Sequence, residues 1–197
     1  MDSSFGVVGK DFVIVATDSS VLRSIMKLHE DEDKTKKLTN TQILAISGEA
    51  SDRLQFGDYV EKNLKFFKYR NGITLSNQET ANFIRNTLAT ALRKGPYQVN
   101  CLFAGYDSEG PALYSIDYLG TMFKTHSGAS GYASYFTLGL LDNYYKKDLT
   151  LEEGKQIIQH CANELKSRFI VNQPNFKVKV ITKEGIEEYE VEAKKQQ

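Results

Sequence analysis

The sequence predicts an α+β domain in four layers: two stacked antiparallel sheets with a helix pair over each outer face. Three observations carry this. Segments of strand composition and segments of helical periodicity come in blocks, in the order strands, two helices, strands, two helices, strands. The strands are separated by turn signals at hairpin spacing, which favours antiparallel pairing. No linker-like stretch, repeat or low-complexity segment divides the 197 residues, so a single domain is expected over 1–197, with a polar tail at 192–197. Helices that arrive in pairs must cover sheet faces, and two sheets between helix pairs is the simplest layered solution.

The elements follow in order. Phe5–Val8 and Phe12–Thr17 are β-rich runs parted by Gly9-Lys10-Asp11, a hairpin. Thr41–Ser47 is a third apolar run, ending at Gly48. The period then changes, and Leu54, Phe56, Val60, Leu64 and Phe67 recur at helical spacing. Ser76 with Glu79 makes a capping box ahead of Phe83, Ile84, Leu88, Ala91 and Leu92, a second helix that stops near Gly95-Pro96. Tyr97–Tyr106 and Ala112–Tyr118 flank the turn Asp107–Gly110, and Thr121–Thr125 follows as a further strand. A third helix is expected over Tyr132–Tyr145. A fourth opens on the capping box Thr150 and Glu153 and continues through Ile157, Ile158, Cys161, Ala162, Leu165 and Phe169. Phe176–Thr182 and Ile186–Val191 close the chain as a hairpin around Lys183-Glu184-Gly185.

Composition narrows the function classes. Lys+Arg and Asp+Glu are each 25, so there is no electrostatic footprint for nucleic acid or an anionic membrane. No apolar run approaches the roughly 18 residues needed to span a bilayer, and the first residues lack a signal-peptide pattern. Cys101 and Cys161 lie far apart in apolar segments, and His29, His126 and His160 are scattered. Buried reduced thiols are expected, with no metal and no cofactor.

Four segments carry a resemblance. FVIVATDS at Phe12–Ser19, SGEASD at Ser47–Asp52, YQVNCLFAGYD at Tyr97–Asp107 and LYSIDYLGT at Leu113–Thr121 are similar, in order, to segments of proteasome subunits. The strand that starts at about Ser4 leaves no helical extension ahead of it, so the chain resembles the beta-type subunits of the eukaryotic 20S proteasome. Asp33-Lys34-Thr35, Gly48–Phe56, Asp117–Thr121 and Ser127–Tyr145 resemble the subunit at the fourth beta-ring position. The resemblance implies the N-terminal-nucleophile hydrolase fold, an αββα sandwich. It also implies neighbours, namely other beta subunits and alpha subunits in stacked seven-membered rings, and residence in cytoplasm and nucleus.

Active members of that family use an N-terminal Thr whose freed amine serves as base, a nearby Lys, an Asp that orients the Lys, and a Gly amide at the oxyanion. Asp18, Lys34 and Gly48 fit three of those landmarks, and the family spacing counted back from each lands on Asp2. A carboxylate there carries no hydroxyl. Met1 directly ahead of Asp2 offers no Gly-Thr junction for self-processing, so the chain is expected to begin at Met1 or Asp2 in an assembled particle. Gly120-Thr121 is such a dipeptide, but reads as a turn between strands. Ser20 stands where active members carry Arg, and RFIVNQPNF at Arg168–Phe176 lacks their Asp and Ser-Gly. Neither Ser127 nor Ser130 takes an assignable role, and Ser3 or Ser4 would need trimming to be exposed. The expectation is a degenerate pseudo-site of Asp2, Asp18, Lys34 and Gly48, with no catalytic residue.

Plain readings stand beside these. Lys34 lies in the charge run DEDKTKK, as a solvated or ion-paired lysine whose loss removes no more than a partly exposed pair. Asp18 can cap a turn, and Gly48 supplies permissive backbone where strand meets helix. The leading reading is a non-catalytic assembly component. An active threonine-type peptidase subunit is the alternative, and a free-standing α+β binding domain the third. The aromatic and aliphatic residues around Tyr132–Tyr145 exceed what one core stripe can use, so Tyr135, Tyr144 or Tyr145 is expected at a subunit contact.

Overall fold

In the computed structural model, which describes residues 2–23 and 26–194, sixteen elements follow one another. They are β1 (Ser3–Val8), β2 (Val13–Asp18), β3 (Val21–Arg23), β4 (Met26–His29), β5 (Thr35–Thr39), β6 (Gln42–Gly48), α1 (Ala50–Asn71) and α2 (Asn77–Ala91). Then come β7 (Val99–Asp107), β8 (Gly110–Ile116), β9 (Met122–Thr125), β10 (Ser127–Gly131), α3 (Ser134–Tyr144), α4 (Leu151–Arg168), β11 (Asn175–Thr182) and β12 (Gly185–Glu192). One five-stranded sheet has the order β10-β1-β2-β11-β12, another β5-β6-β7-β8-β9, and β3 pairs β4 in a ribbon of their own. Neighbouring strands run antiparallel. Met1 and the last three residues of the expected tail lie outside the described residues.

Strand alternation sorts the side chains into three cores. β1 turns Phe5 and Val7 toward α3 and α4 and Val8 toward the other sheet, and β2 divides Ile14 and Ala16 from Val13 and Val15 in the same way. β6 sends Leu44 and Ile46 to α1 and α2, and Ile43 and Ala45 between the sheets. Strands buried on both faces read as continuous apolar runs, which is why these three are plain in the sequence. Phe56, Val60 and Leu64 of α1 join Ala81, Ile84 and Leu88 of α2 over one sheet, while Ile157, Ile158, Cys161 and Leu165 of α4 cover the other. The layers are helix pair, sheet, sheet, helix pair.

Both capping boxes form, Ser76 with Glu79 and Thr150 with Glu153. The start of α1, unread in the sequence, is capped by the Glu49 carboxylate, which accepts the Ser51 and Asp52 amides at 2.9 and 3.0 Å. Each such cap contributes about 1 kcal/mol.

Several expectations are corrected. Leu54 is 52% exposed, because the buried stripe of α1 runs through Arg53, Phe56, Gly57, Val60 and Leu64. The short strands β3, β4, β5 and β10 were missed; β5, of sequence TKKLT, is a sheet edge on which Lys36 pairs with Asp58 of α1 at 2.7 Å and Lys37 is exposed. The tail begins docked: Ala193 is buried and donates its amide to the Pro174 carbonyl at 2.8 Å, and the Lys194 amide reaches Asn163 Oδ1 at 2.8 Å. Gly120-Thr121 falls in a turn as expected, but the turn starts earlier, at Asp117, whose Oδ1 accepts the Leu119 and Thr121 amides, and the strand before it ends at Ile116 rather than Tyr118. Cys101 and Cys161 are buried, and burial pushes both thiols up, Cys161 to about 12.

The third helix is shorter than expected, and its tyrosines have unlike roles. Tyr132 precedes it and stacks on Phe169, with ring centroids 5.7 Å apart. Tyr145 caps its end, packs on the α4-side core and stacks on His126 at 5.4 Å. Tyr135 is 84% exposed. In urea unfolding of the chain, Tyr145→Ala is therefore expected to cost about 1–3 kcal/mol and Tyr135→Ala less than about 0.5 kcal/mol; equal losses would contradict this division.

Candidate functional site

The end of β2 and the start of β5 are brought together by an acidic strap. Asp31, Glu32 and Asp33 are consecutive, and each pairs with a cation from another element. Asp31 meets Lys177 of β11 at 2.6 Å, Glu32 meets Arg53 of α1 at 3.0 Å, and Asp33 meets Lys179 of β11 at 2.6 Å. The second oxygen of Asp33 accepts the Thr35 amide and hydroxyl at 2.9 and 2.7 Å, which turns the chain into β5. The Glu32 amide donates to the Ser19 carbonyl at 3.0 Å. What reads as a solvated charge run is thus pinned on both sides, and Lys34, the next residue, points inward.

Lys34 is 4% exposed, and its ammonium reaches three acceptors: Asp2 Oδ1 at 2.7 Å, Asp18 Oδ2 at 2.8 Å and the Ser20 carbonyl at 2.8 Å. A lysine has three N–H bonds, so this set is complete. Asp18, fully buried at the end of β2, also accepts the Ser3 amide at 2.7 Å and the Ser20 amide at 3.3 Å. The turn-capping role expected of Asp18 is therefore real, within a larger one. Asp2 Oδ2 accepts the Gly48 amide at 3.0 Å, and Arg53 Nε lies 3.8 Å from the same oxygen. All four residues of the expected pseudo-site meet at one point.

Gly48 is needed there for two reasons. Its φ is 140°, and a Cβ would stand 2.1 Å from the Gln98 carbonyl oxygen. Only glycine lets the strand turn at this angle while its amide faces Asp2. Gly131 guards the other side, since a Cβ there would meet the Asp2 carbonyl at 2.1 Å.

Charge and burial oppose each other at the two carboxylates. Burial pushes Asp2 up, but the Lys34 charge and hydrogen bond, the Gly48 amide and Arg53 together hold it below the usual carboxylate range. At Asp18 burial prevails over Lys34, and the carboxyl is raised.

Two expectations for Lys34 and its surroundings are corrected. Lys34 is ion-paired but not solvated, so its loss removes more than a partly exposed pair. Arg53 and Glu32 were not read as part of the site; the available signal was an arginine on the same helical stripe as Phe56, Gly57 and Val60. The serines fall elsewhere. Ser130 is buried with its hydroxyl 2.8 Å from that of Ser47, facing the space between the sheets, and Ser127 uses its carbonyl to accept the Thr125 hydroxyl. The hydroxyls of Ser3 and Ser20 are buried and find no hydrogen-bond partner among the described residues. None of these hydroxyls bonds to Lys34, whereas an activated nucleophile must lie within hydrogen-bond reach of its base. The group at the point where Lys34 and the Gly48 amide converge is a carboxylate, an acceptor only when ionised.

A model of the proteasome subunit family matches residues 2–181. Proteasome subunit beta type-2-B of Arabidopsis thaliana is 47% identical over 190 residues, covering 96% of each chain. Proteasome subunit beta type-2 of Dictyostelium discoideum is 46% identical, covering 90% of this chain and 91% of its own. Proteasome subunit beta type-4 of Saccharomyces cerevisiae is 39% identical, covering 94% and 96%.

Lys34→Ala strips the shared cation from two buried carboxylates and is expected to cost about 3–5 kcal/mol in urea unfolding. A loss below about 1 kcal/mol would return Lys34 to the class of surface pairs. Acid unfolding tests Asp2. Its folded pKa lies below the ordinary aspartate value of 3.8, so its contribution is complete above that value and is lost as pH falls below it through the folded value. Asp18 has the opposite sign, costing stability as pH rises from 3.8 through its raised folded value. The stability gap between the native chain and Asp2→Asn should be constant near neutrality and narrow below about pH 4; a gap independent of pH would contradict the assignment.

Proposed function

We propose that this chain, which belongs to the proteasome subunit family, is a non-catalytic beta-type subunit of the 20S core particle, a wall piece of the proteolytic chamber. The carrying observation is Asp2, whose carboxylate fills the point at which Lys34 and the Gly48 amide converge. Acyl transfer needs at that point a hydroxyl that can attack and lose its proton. Here a carboxylate takes one Lys34 N–H and sits on the amide that would steady an oxyanion. The remaining ammonium hydrogen bonds go to Asp18 and Ser20.

In this reading the chain's work is assembly. It joins beta neighbours and alpha subunits in stacked seven-membered rings, in cytoplasm and nucleus, and encloses the space where active neighbours cut unfolded protein. Similarity to proteins named as beta type-2 subunits along nearly their whole length supports that role. So does the surface: Tyr135, Tyr69 and Phe66 are 84%, 86% and 63% exposed, large side chains whose burial against neighbours would contribute to association.

One feature favours the second reading, an active threonine-type subunit: Lys34, Asp18 and Gly48 keep the arrangement such a site would use. An epoxyketone electrophile, which captures a hydroxyl and its adjacent amine together, separates the two. In the assembled particle this chain should stay unlabelled by intact mass while other subunits gain the adduct. An adduct on this chain would overturn the non-catalytic reading.

A further inference from the structure

We propose that Lys34, Arg53 and the Gly48 amide form a preorganised receptor for a carboxylate, which Asp2 occupies as an intramolecular ligand and which takes free formate or acetate once the Asp2 side chain is removed. The receptor deepens the reading above, since it concerns the same site, but the two fail separately.

Each receptor group is held by contacts that do not involve Asp2. Lys34 is anchored by Asp18 Oδ2 and the Ser20 carbonyl, both at 2.8 Å. Arg53 is 5% exposed and is held through its Nη2 by Glu32 at 3.0 Å, while its Nε, buried and without a hydrogen-bond acceptor among the described residues, lies 3.8 Å from Asp2 Oδ2. Gly48 is fixed by its pairing with Val99 and by the neighbouring Glu49 amide, which donates to the Gln98 carbonyl at 3.0 Å. These supports come from β2, the strap, β6 and β7. Removing the Asp2 carboxylate would therefore leave two buried cations and one amide still aimed at the place it vacated. Each cation keeps one carboxylate partner, Asp18 or Glu32, but one ammonium N–H and the Gly48 amide lose their acceptor, and a small anion able to enter restores it.

Size decides which anion. Asp2→Gly deletes a CH2–COO⁻ fragment, an acetate ion less one hydrogen. Formate and acetate match the vacated volume and can bridge the ammonium and the amide with two oxygens, as Asp2 does. Pivalate carries the same charge with three carbons more than acetate, well beyond the fragment removed. Chloride carries its charge on one atom and has no pair of oxygens to bridge the two donors.

The experiment is thermal unfolding of the full chain carrying Asp2→Gly, with sodium formate titrated against sodium chloride at constant ionic strength. The expected result is a lower Tm than the native chain, raised saturably by formate, by about 3–6 °C at ten times its dissociation constant. Acetate should act similarly and pivalate not at all. The native chain should not respond, because its own Asp2 holds the seat. In ¹³C NMR, labelled formate should broaden with Asp2→Gly, and not with Asp2→Gly combined with Arg53→Gln. If Asp2→Gly is unfolded alone, formate should restore its folded fraction. Equal effects of formate and chloride, an equal shift in the native chain, or no restoration of an unfolded variant would each overturn the proposal. None of these results bears on epoxyketone labelling, and labelling would leave the receptor standing.

Discussion

The structure turns on a single ammonium group. Lys34 Nζ sits in a side chain 1% exposed, and a charge so placed must be fully paired. Its three acceptors belong to the residue before β1, the end of β2 and the turn toward β3, while its own backbone opens β5 in the other sheet. Satisfying one lysine thus fixes where the beginnings and ends of four strands meet. The main chain takes part as well, because the Lys34 carbonyl accepts the Ile46 amide at 3.0 Å and ties this point to β6.

The acidic strap is what delivers Lys34 to that position. Asp31, Glu32 and Asp33 alternate between β11, α1 and β11, and this alternation in space follows from the two-residue repeat of an extended chain. On β11 the partners Lys177 and Lys179 share one face, while Phe176, Val178 and Val180 point the other way into the core under α4. The Asp31–Lys177 pair is open to solvent on its acidic side and adds little, whereas Lys179 and Arg53 are buried cations whose desolvation offsets most of the Coulomb gain. Their effect is selective: a chain folded with any of these cations unmatched would leave an uncompensated charge behind.

Much of this could be read from residues alone, and the failures have physical causes. Strands buried on both faces, such as Val13–Asp18 and Val99–Asp107, announced themselves as apolar runs, and both capping boxes stood out by spacing. β5 and β10 did not, because an edge strand of lysines and a strand of serine, glycine and alanine carry neither pattern. At the site, Asp2, Asp18, Lys34 and Gly48 were found through resemblance to a family. Their burial was not, since local composition describes Asp31–Lys37 as charged whether the partners are water or protein. Arg53 was invisible for the same reason: pairing with Glu32 and Asp2 is a long-range fact, and only its place on an apolar stripe hinted at it.

β1 has two faces of unequal size. Phe5 and Val7 fill the wide gap beneath the helices, whereas Ser4, Gly6 and Val8 face the other sheet, and a Cβ on Gly6 would stand 2.7 Å from the Ile14 carbonyl of the neighbouring strand β2. Shifting the strand by a single residue would drive phenylalanine into a space cut for glycine and leave the wide gap to a hydroxyl. The Asp2 carboxylate, bonded to Lys34 and Gly48, stops the strand from sliding at its open end. The opening of this chain behaves as a key with its teeth on both edges: the run from Asp2 to Val8 fits in one register alone.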